Sequence, residues 1–263
     1  MAELVDARVS EARGSNPVMV RFHSSAPKLV ESRESGVESK IFRLSISLLS
    51  LVTFVKILVV RNQFITAITT HQVAFGLDLA DDAIKRLADY YELVQTHNPL
   101  LHLVGPCSPE EFAIRHVLES LTLLEHFPQK ARFADVGTGA GLPSIPCLLV
   151  REDLKAVLIE SKEKKTKFLE SAVEQLGLSK RVSIINRQFE EAEPGGCEFV
   201  TCRALDKFTE KLPRLLKWSK KRRLLLFGGD NLRKALQKQG LTFDAKLMPM
   251  SEQRFLFDLR SDR

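Results

Sequence analysis

A turn rich in glycine and proline is the part of this sequence best suited to holding a small molecule. The stretch "ADVGTGAGLPSIP" covers residues 134–146. Three of its residues are glycines and two are prolines, at Gly137, Gly139, Gly141, Pro143 and Pro146. Glycine lets a backbone approach a ligand where a Cβ atom would collide. Proline is tolerated in the first turn of a helix. The stretch therefore predicts a turn that bends around a ligand and leads into a helix.

Two carboxylates and the glycine spacing narrow the choice of ligand. Asp135 directly precedes the turn, and Glu160 ends the next apolar run. The spacing is G-x-G-x-G, with Leu142 where a dinucleotide site has its third glycine, and no phosphate-loop lysine is present. The Asp135 carboxylate suits the amino group of a methionine moiety, and the Glu160 carboxylate can accept hydrogen bonds from ribose hydroxyls. The turn therefore predicts S-adenosylmethionine as cofactor, with a nicotinamide cofactor and a turn without ligand as the alternatives.

Alternating strands and helices would position this turn at one edge of a sheet. Apolar runs at 131–136, 155–160, 181–185, 198–202 and 222–227 are typical of strands, and helical patterns follow most of them. Such alternation predicts a mainly parallel sheet covered on both faces. Two final runs, at 244–250 and 254–259, have no helix between them and predict an antiparallel hairpin at the edge. Ligands of such folds bind beyond the carboxyl ends of the strands.

The segment before the sheet predicts a small helical cap over residues 74–130. Residues 79–99 have apolar side chains near helical spacing, and residues 108–127 repeat the pattern. Ser108 is suited to cap the second helix, with Pro109 at its first position. The predicted domains are thus an N-terminal extension over 1–73, the cap over 74–130 and a cofactor-binding methyltransferase domain over 131–263.

The first 73 residues do not follow the pattern of the rest. Their opening resembles the conceptual translation of DNA that runs through a transfer-RNA gene, so we expect a spurious or disordered extension. Residues 44–60 form an apolar run of 17, at the short limit of a spanning helix, and four hydroxyl side chains dilute it. We expect no membrane anchor, and a membrane-tethered form is the alternative.

The charge and cysteine content favour a cytoplasmic protein without a metal site. The net charge is +6, and the first 73 residues contribute half of it. The four cysteines form no C-x-x-C pair and predict free thiols. A local cluster, "KWSKKRR" at 217–223, is the strongest candidate for RNA contact. Its members are Lys217, Trp218, Lys220, Lys221, Arg222 and Arg223.

Four ordered blocks of the sequence resemble the RsmG (GidB) family. They are "RHVLESL" (115–121), "DVGTGAGLPSIP" (135–146), "KKTKFLESAVEQLGL" (164–178) and "CRAL" (202–205). The resemblance covers about residues 77–260. It implies a Rossmann-like class I S-adenosylmethionine-dependent methyltransferase fold. It also implies methylation of N7 of a guanine in the decoding-centre loop of bacterial 16S ribosomal RNA, with that RNA or the small ribosomal subunit as partner and a monomeric protein that binds no DNA.

The resemblance also implies roles for individual residues. Gly137 and Leu142 correspond to cofactor contacts at the turn, and Gln188 and Phe189 to the pair that borders the adenine. Arg203 corresponds to an arginine of the cofactor site. Arg115 and His116 match the R-H pair near the active face and are the candidate catalytic residues. By the residues alone, Arg115 is equally suited to pair with Glu119, four positions on, and His116 to be a packed histidine.

The sequence departs from the family pattern at several positions. Glu119 replaces an aspartate, Ser144 a glycine and Cys202 a serine, and Gln188 and Phe189 lie in a stretch usually written R-A-E-E. Gly228 stands where the family has a lysine, and "HLV" at 102–104 replaces N-L-T. The last two changes lie on the predicted RNA side. The alternatives are therefore a methyltransferase acting on another substrate and a non-catalytic ribosome-associated protein that binds the cofactor.

Overall fold

The fold is seen in a computed structural model that describes Val55, residues 58–203, Leu205 and residues 207–260. Most of the predicted N-terminal extension, including most of the apolar run at 44–60, lies outside the described residues. Among the described helices, none is both long enough and apolar enough to cross a bilayer. The predicted division of the chain at residues 73 and 130 stays a prediction.

Within the described residues, three helical segments precede the sheet. Residues 58–71 are helical (α1), Asp81–Leu101 form α2, and residues 109–126 form α3. Phe64 of α1 is fully buried, and its ring stacks on Tyr91 of α2 with a centroid distance of 4.7 Å. The packed structure therefore extends to the N-terminal side of residue 74, into the segment predicted to be an extension.

Local signals in the sequence explain where α3 begins. Ser108 Oγ accepts the backbone N–H of Glu111 at 3.1 Å, and the Glu111 carboxylate accepts the backbone N–H of Ser108 at 3.0 Å. This reciprocal capping box satisfies two N–H groups that the helix itself leaves free. The predicted cap is confirmed. The middle of α3, Phe112–Leu118, is a π-helix, which the sequence pattern did not indicate.

In the part of the chain that the structure describes, seven strands form one sheet, in the order β3-β2-β1-β4-β5-β7-β6. The strands are β1 Arg132–Val136, β2 Lys155–Ile159, β3 Val182–Ile185, β4 Phe199–Arg203, β5 Arg223–Gly228, β6 Asp244–Leu247 and β7 Phe255–Leu259. The first five pair in parallel, and β7 is antiparallel to both β5 and β6. The predicted Rossmann-like sheet with an antiparallel edge is therefore confirmed.

Helices cover both faces of the sheet. Beyond the first three they are α4 Ser144–Val150, α5 Glu163–Gln175, α6 Phe208–Ser219 and α7 Asp230–Lys238. Successive side chains of a strand point to opposite faces. Phe133 of β1 accordingly belongs to the core with α2 to α5, whereas Ala134 belongs to the core with α6 and α7. Because the central strands are buried on both sides, the functional groups collect at their carboxyl ends.

Candidate functional site

A cavity of about 520 Å³ opens at the carboxyl ends of β1, β2 and β4. Of the predicted site residues, eight line it: His116, Gly137, Gly139, Leu142, Glu160, Gln188, Phe189 and Arg203. The sheet topology brings these residues together from segments that are far apart in the chain. This is the position at which an open α/β sheet binds its ligand.

The glycine turn forms one wall of this cavity. Gly137 and Gly139 have φ of 68° and 57°, a conformation that other residues adopt at a cost. The Gly137 N–H donates to the Ile159 carbonyl of β2 at 2.9 Å, which holds the turn against the neighbouring strand. A Cβ at Gly139 would make only ordinary contacts, at 3.8 Å from the Gly137 carbonyl oxygen and 4.0 Å from Lys165 Nζ. Because Gly139 lines the cavity, a larger side chain there would occupy part of it. Gly141 instead packs on Ile145 of α4.

Glu160 connects the end of β2 to this turn. One carboxylate oxygen accepts the backbone N–H of Gly139 at 3.1 Å, and the other accepts the N–H of Lys162 at 2.9 Å. The residue is 6% exposed and lies on the cavity wall. Each carboxylate oxygen has a further lone pair. Glu160 is therefore fixed in place and retains acceptor sites for a ligand hydroxyl.

Asp135 lies behind the turn and does not line the cavity. It is fully buried, and its carboxylate accepts hydrogen bonds from Ser144 Oγ at 2.7 Å and Thr201 Oγ1 at 3.1 Å. Burial raises the pKa of Asp135 to about 7, and these hydroxyl groups oppose that rise. We predicted that Asp135 contacts a methionine amino group, whereas the structure buries its carboxylate behind the turn, away from the cavity wall. The carboxylate therefore joins the start of α4 to β4 behind the turn.

Arg203 lies on the cavity wall at the end of β4. Its guanidinium donates to the Glu119 carboxylate at 2.9 Å and to the backbone carbonyl of Arg115. Arg254 Nε donates to the other oxygen of Glu119 at 2.6 Å. Glu119 is 1% exposed, so one buried carboxylate holds two arginines. Burial lowers the pKa of Arg203, whereas the charge of Glu119 opposes this change.

The two candidate catalytic residues, Arg115 and His116, have different surroundings in the π-helical part of α3. The Arg115 guanidinium is exposed and lies 3.7 Å from Glu111. The alternative pairing of Arg115 with Glu119 is wrong, because Arg203 and Arg254 hold that carboxylate. His116 lines the cavity, and its buried Nδ1 has no hydrogen-bond partner in the described part of the chain. Burial lowers the pKa of His116 to about 3, and nearby arginines add to the effect.

The cavity wall near the third strand combines a buried ring with an exposed amide. Phe189 is 3% exposed, and Gln188 before it is exposed. Trp218 packs edge-on against Phe189 with a centroid distance of 5.7 Å. Trp218 Nε1 also donates to the Ala192 carbonyl at 2.8 Å. The tryptophan therefore supports the cavity wall from behind.

The basic cluster at 217–223 lies at the other edge of the sheet. It connects the end of α6 to the start of β5, whereas the cavity lies where the parallel strands end. Arg222 donates to the carbonyls of Cys197 at 3.0 Å and Gly195 at 3.1 Å, and Arg223 donates to Asp258 at 2.7 Å. These two arginines thus have structural partners. Contact of the cluster with RNA stays a prediction, which concerns mainly the exposed Lys217, Lys220 and Lys221.

Several residues on the cavity wall were not predicted from the sequence. They include four cations from loops and helix ends beside the strand ends, Lys162, Lys165, Arg187 and Lys211. Leu103 and Val104, from the segment predicted to lie on the RNA side, also line this wall. The topology indicates such positions once the strands are assigned, because every loop after a parallel strand opens at the same edge.

Comparison with known proteins places the chain in a family. Residues 83–246 match the family model GidB, described as rRNA small subunit methyltransferase G. The ribosomal RNA small subunit methyltransferase G of Neisseria meningitidis serogroup C / serotype 2a is 36% identical over 131 residues, 50% of this chain and 63% of that protein. Its namesake in Nitrosospira multiformis is 41% identical over 115 residues, 44% of this chain and 52% of that protein.

A solved structure agrees on the fold. Cofactor-bound Rv0187 from MTB superposes with a TM-score of 0.50 and 14% identity, over 68% of this chain and 91% of that one. The matched part of our chain spans less than two thirds of the length of the curated relatives, at 63% and 52%. The family model nevertheless covers more than half of the chain. The chain therefore belongs to the GidB family.

Proposed function

From this family membership and the geometry of the cavity, we propose that the chain methylates N7 of a guanine in the decoding-centre loop of 16S ribosomal RNA, with S-adenosylmethionine as cofactor. The observation that carries the proposal is the hydrogen bond between Glu160 and the backbone of Gly139 on the cavity wall. It joins a carboxylate to an open glycine turn at the carboxyl edge of a parallel sheet. The finer assignment to guanine N7 comes from the family resemblance.

The residues on the cavity wall fit S-adenosylmethionine. The cavity beside Gly139 would accept the methionine part, which a side chain at this position would displace. Glu160 would accept hydrogen bonds from ribose hydroxyls, since its two observed bonds leave lone pairs free. Leu142, Ile159 and Phe189 supply an apolar lining for a nucleobase. When bound, S-adenosylmethionine supplies an electrophilic methyl group.

Methylation of guanine N7 does not require acid–base catalysis. Guanine N7 has a lone pair and no proton, so no general base is needed, and orientation and exclusion of water provide most of the rate enhancement. His116 fits this requirement because its lowered pKa keeps the imidazole neutral at pH 7. A neutral imidazole on the cavity wall hydrogen-bonds a base edge without repelling positive charge that develops on the guanine ring. Arg203 and Glu119 hold the adjoining wall in place.

A second candidate function is cofactor binding without methyl transfer, on a ribosome-associated protein. Gly228, at the end of β5, stands where the family has a lysine. A Cβ at Gly228 would lie 2.6 Å from Leu232 Cδ2, so this position is filled by α7. Leu103 and Val104, from the altered N-L-T segment, lie on the cavity wall. The change at 102–104 therefore lies on the wall of the site itself.

One experiment separates these functions. The purified protein is incubated with isotopically labelled S-adenosylmethionine and small ribosomal subunits from a strain that lacks the gene. The RNA is then digested and its methylated nucleosides are identified by mass spectrometry. Labelled 7-methylguanosine in the decoding-centre fragment supports the proposal. Cofactor binding without label in the RNA supports the non-catalytic function, and label in a protein or small molecule supports a different substrate.

A further inference from the structure

A second groove adjoins the cavity and is not used by the proposed cofactor site. It has a volume of about 430 Å³ and lies between the end of α2 and the start of α5. Its lining consists of Leu100, Leu101, His102 and residues 162–165. Lys162 and Lys165 line both the groove and the cavity, so the two spaces are adjacent.

The groove has an excess of positive charge. Three of its lining residues are lysines, Lys162, Lys164 and Lys165, and its single acidic residue is Glu163. The Glu163 carboxylate pairs with Lys167 at 2.7 Å, one turn further along α5. Within the part of the chain that the structure describes, no carboxylate forms an ion pair with the three groove lysines. Their ammonium groups are therefore available to an anionic ligand.

The groove also presents apolar surface to solvent. Leu100 is 84% exposed, the largest exposed fraction among the large hydrophobic side chains of the described residues. The backbone at this point is held firmly: the His102 N–H donates to the Asn98 carbonyl at 2.9 Å, and the Val104 N–H donates to Asn98 Oδ1 at 2.9 Å. An exposed leucine beside several lysines suits a ligand that combines phosphates with a nucleoside.

The cofactor does not account for these charges. S-adenosylmethionine has no phosphate and carries a net positive charge, so a set of lysines beside its site would not improve its binding. A polyanion that enters the same cavity would benefit from them, because each phosphate contact releases counterions. The basic cluster at 217–223 precedes β5, whereas the groove lies beside the strand ends that line the cavity, so the groove lysines are the cations adjacent to a base in this cavity.

We propose that this groove binds the phosphate backbone of the RNA strand that flanks the target nucleotide. Lys162, Lys164 and Lys165 contact successive phosphates, and Leu100 packs on an adjacent nucleoside. The inference rests on the proposed function, since it requires RNA as the substrate. The main RNA contact then lies at the junction of α2 and α5, and not at the cluster 217–223 that the sequence predicted.

The test compares two charge-matched single variants by binding to unmethylated small ribosomal subunits at several salt concentrations. Lys164→Gln removes one charge from the groove, at the groove lysine that does not line the cavity. Lys221→Gln removes one exposed charge at the opposite edge. We expect the groove variant to lose affinity on the order of fivefold and to reduce the salt dependence of log K by about 0.7, the contribution of one phosphate contact. The Lys221 variant should resemble the wild type.

Calorimetric binding of S-adenosylmethionine to both variants controls for damage to the cofactor site. Unchanged cofactor affinity with reduced subunit affinity in the groove variant supports the inference. Equal subunit affinity in the groove variant and the wild type, or a loss confined to the Lys221 variant, would overturn it. If the wild type neither binds nor methylates the subunits, it is the proposed function that fails, so the two failures are distinguishable.

Discussion

The carboxylate of Glu160 accepts the backbone N–H of Gly139 at 3.1 Å. This bond joins the end of β2 to the turn that follows β1, across 21 residues of sequence. The same carboxylate accepts the N–H of Lys162, so it fixes both loops at the edge of the cavity. The shape of the proposed cofactor site thus depends on one nearly buried side chain.

Glu160→Gln should weaken cofactor binding. The amide retains one acceptor oxygen but turns an NH₂ group toward one of the two N–H donors, which leaves that donor without a partner. In the complex the amide also offers fewer acceptor sites to the ribose hydroxyls. A hydrogen bond to a charged group contributes about 1.5–3 kcal/mol, so we expect roughly a tenfold loss of affinity for S-adenosylmethionine. Calorimetric titration measures the affinity of each variant for S-adenosylmethionine. Glu163→Gln, three residues on and exposed, is the matched control; equal effects of the two variants would contradict the role of Glu160.

Glu119→Gln should destabilise the protein, because it leaves Arg203 and Arg254 without their shared counter-charge. Removing one partner from a buried ion pair costs about 3–5 kcal/mol. The lower end applies here, since the Arg254 side chain is 34% exposed. Urea unfolding measures the change. Glu119→Asp restores the family residue and keeps the charge, and it should cost less than Glu119→Gln; the reverse order would show that the charge is not what stabilises this contact.

Asp135 should make stability depend on pH. Burial raises the pKa of Asp135 to about 7 in the folded protein, whereas an unfolded chain has its ordinary value of about 3.9. The folded state therefore keeps a proton that the unfolded state loses, and its stabilising contribution falls as pH rises from about 4 to 7. In Asp135→Asn this dependence disappears. As the pH rises over this range, the free energy of unfolding of the variant should therefore increase relative to that of the wild type. A difference between the two proteins that does not change with pH would contradict the assignment.

Arg222 should behave as a structural residue. Its guanidinium donates to the carbonyls of Gly195, Cys197 and Ser219. Arg222→Gln should lower the free energy of unfolding by about 1–3 kcal/mol, measured by urea denaturation, and should leave the affinity for small ribosomal subunits unchanged at temperatures where the variant is folded. Lys221→Gln serves as the exposed neighbour for comparison. A loss of subunit affinity without a loss of stability would restore Arg222 to the RNA-binding surface.

Features set by local sequence were predictable. The capping box at Ser108 and Glu111 depends on residues three positions apart, and the glycine turn follows directly from its own spacing. The order of strands and helices follows from hydrophobic periodicity, which is a local property of the chain. The resemblance to the family added the pair Gln188 and Phe189, which the structure places on the cavity wall.

Features set by distant partners were not predictable. Asp135 is paired with Thr201 in the register of β1 and β4, and the threonine hydroxyl helps to hold the carboxylate behind the turn. Arg222 and Arg223 look like free cations in the sequence, yet their partners are Cys197 and Asp258, up to 35 residues away. Short periodic patterns contain no information about such contacts, which depend on how the sheet assembles.

The central claim is that the turn after β1 binds S-adenosylmethionine, and titration calorimetry with Gly139→Leu tests it most directly. Gly177→Leu is the matched control, since Gly177 has a similar φ of 68°, a Cβ there would approach no atom within 4 Å, and Gly177 is not among the residues that line the cavity. Both variants carry the strain of a positive φ, about 1–2 kcal/mol. We predict saturable one-to-one binding by the wild type and by Gly177→Leu, and at least about a tenfold loss in Gly139→Leu. No binding by the wild type, or equal binding by all three proteins, would contradict the claim.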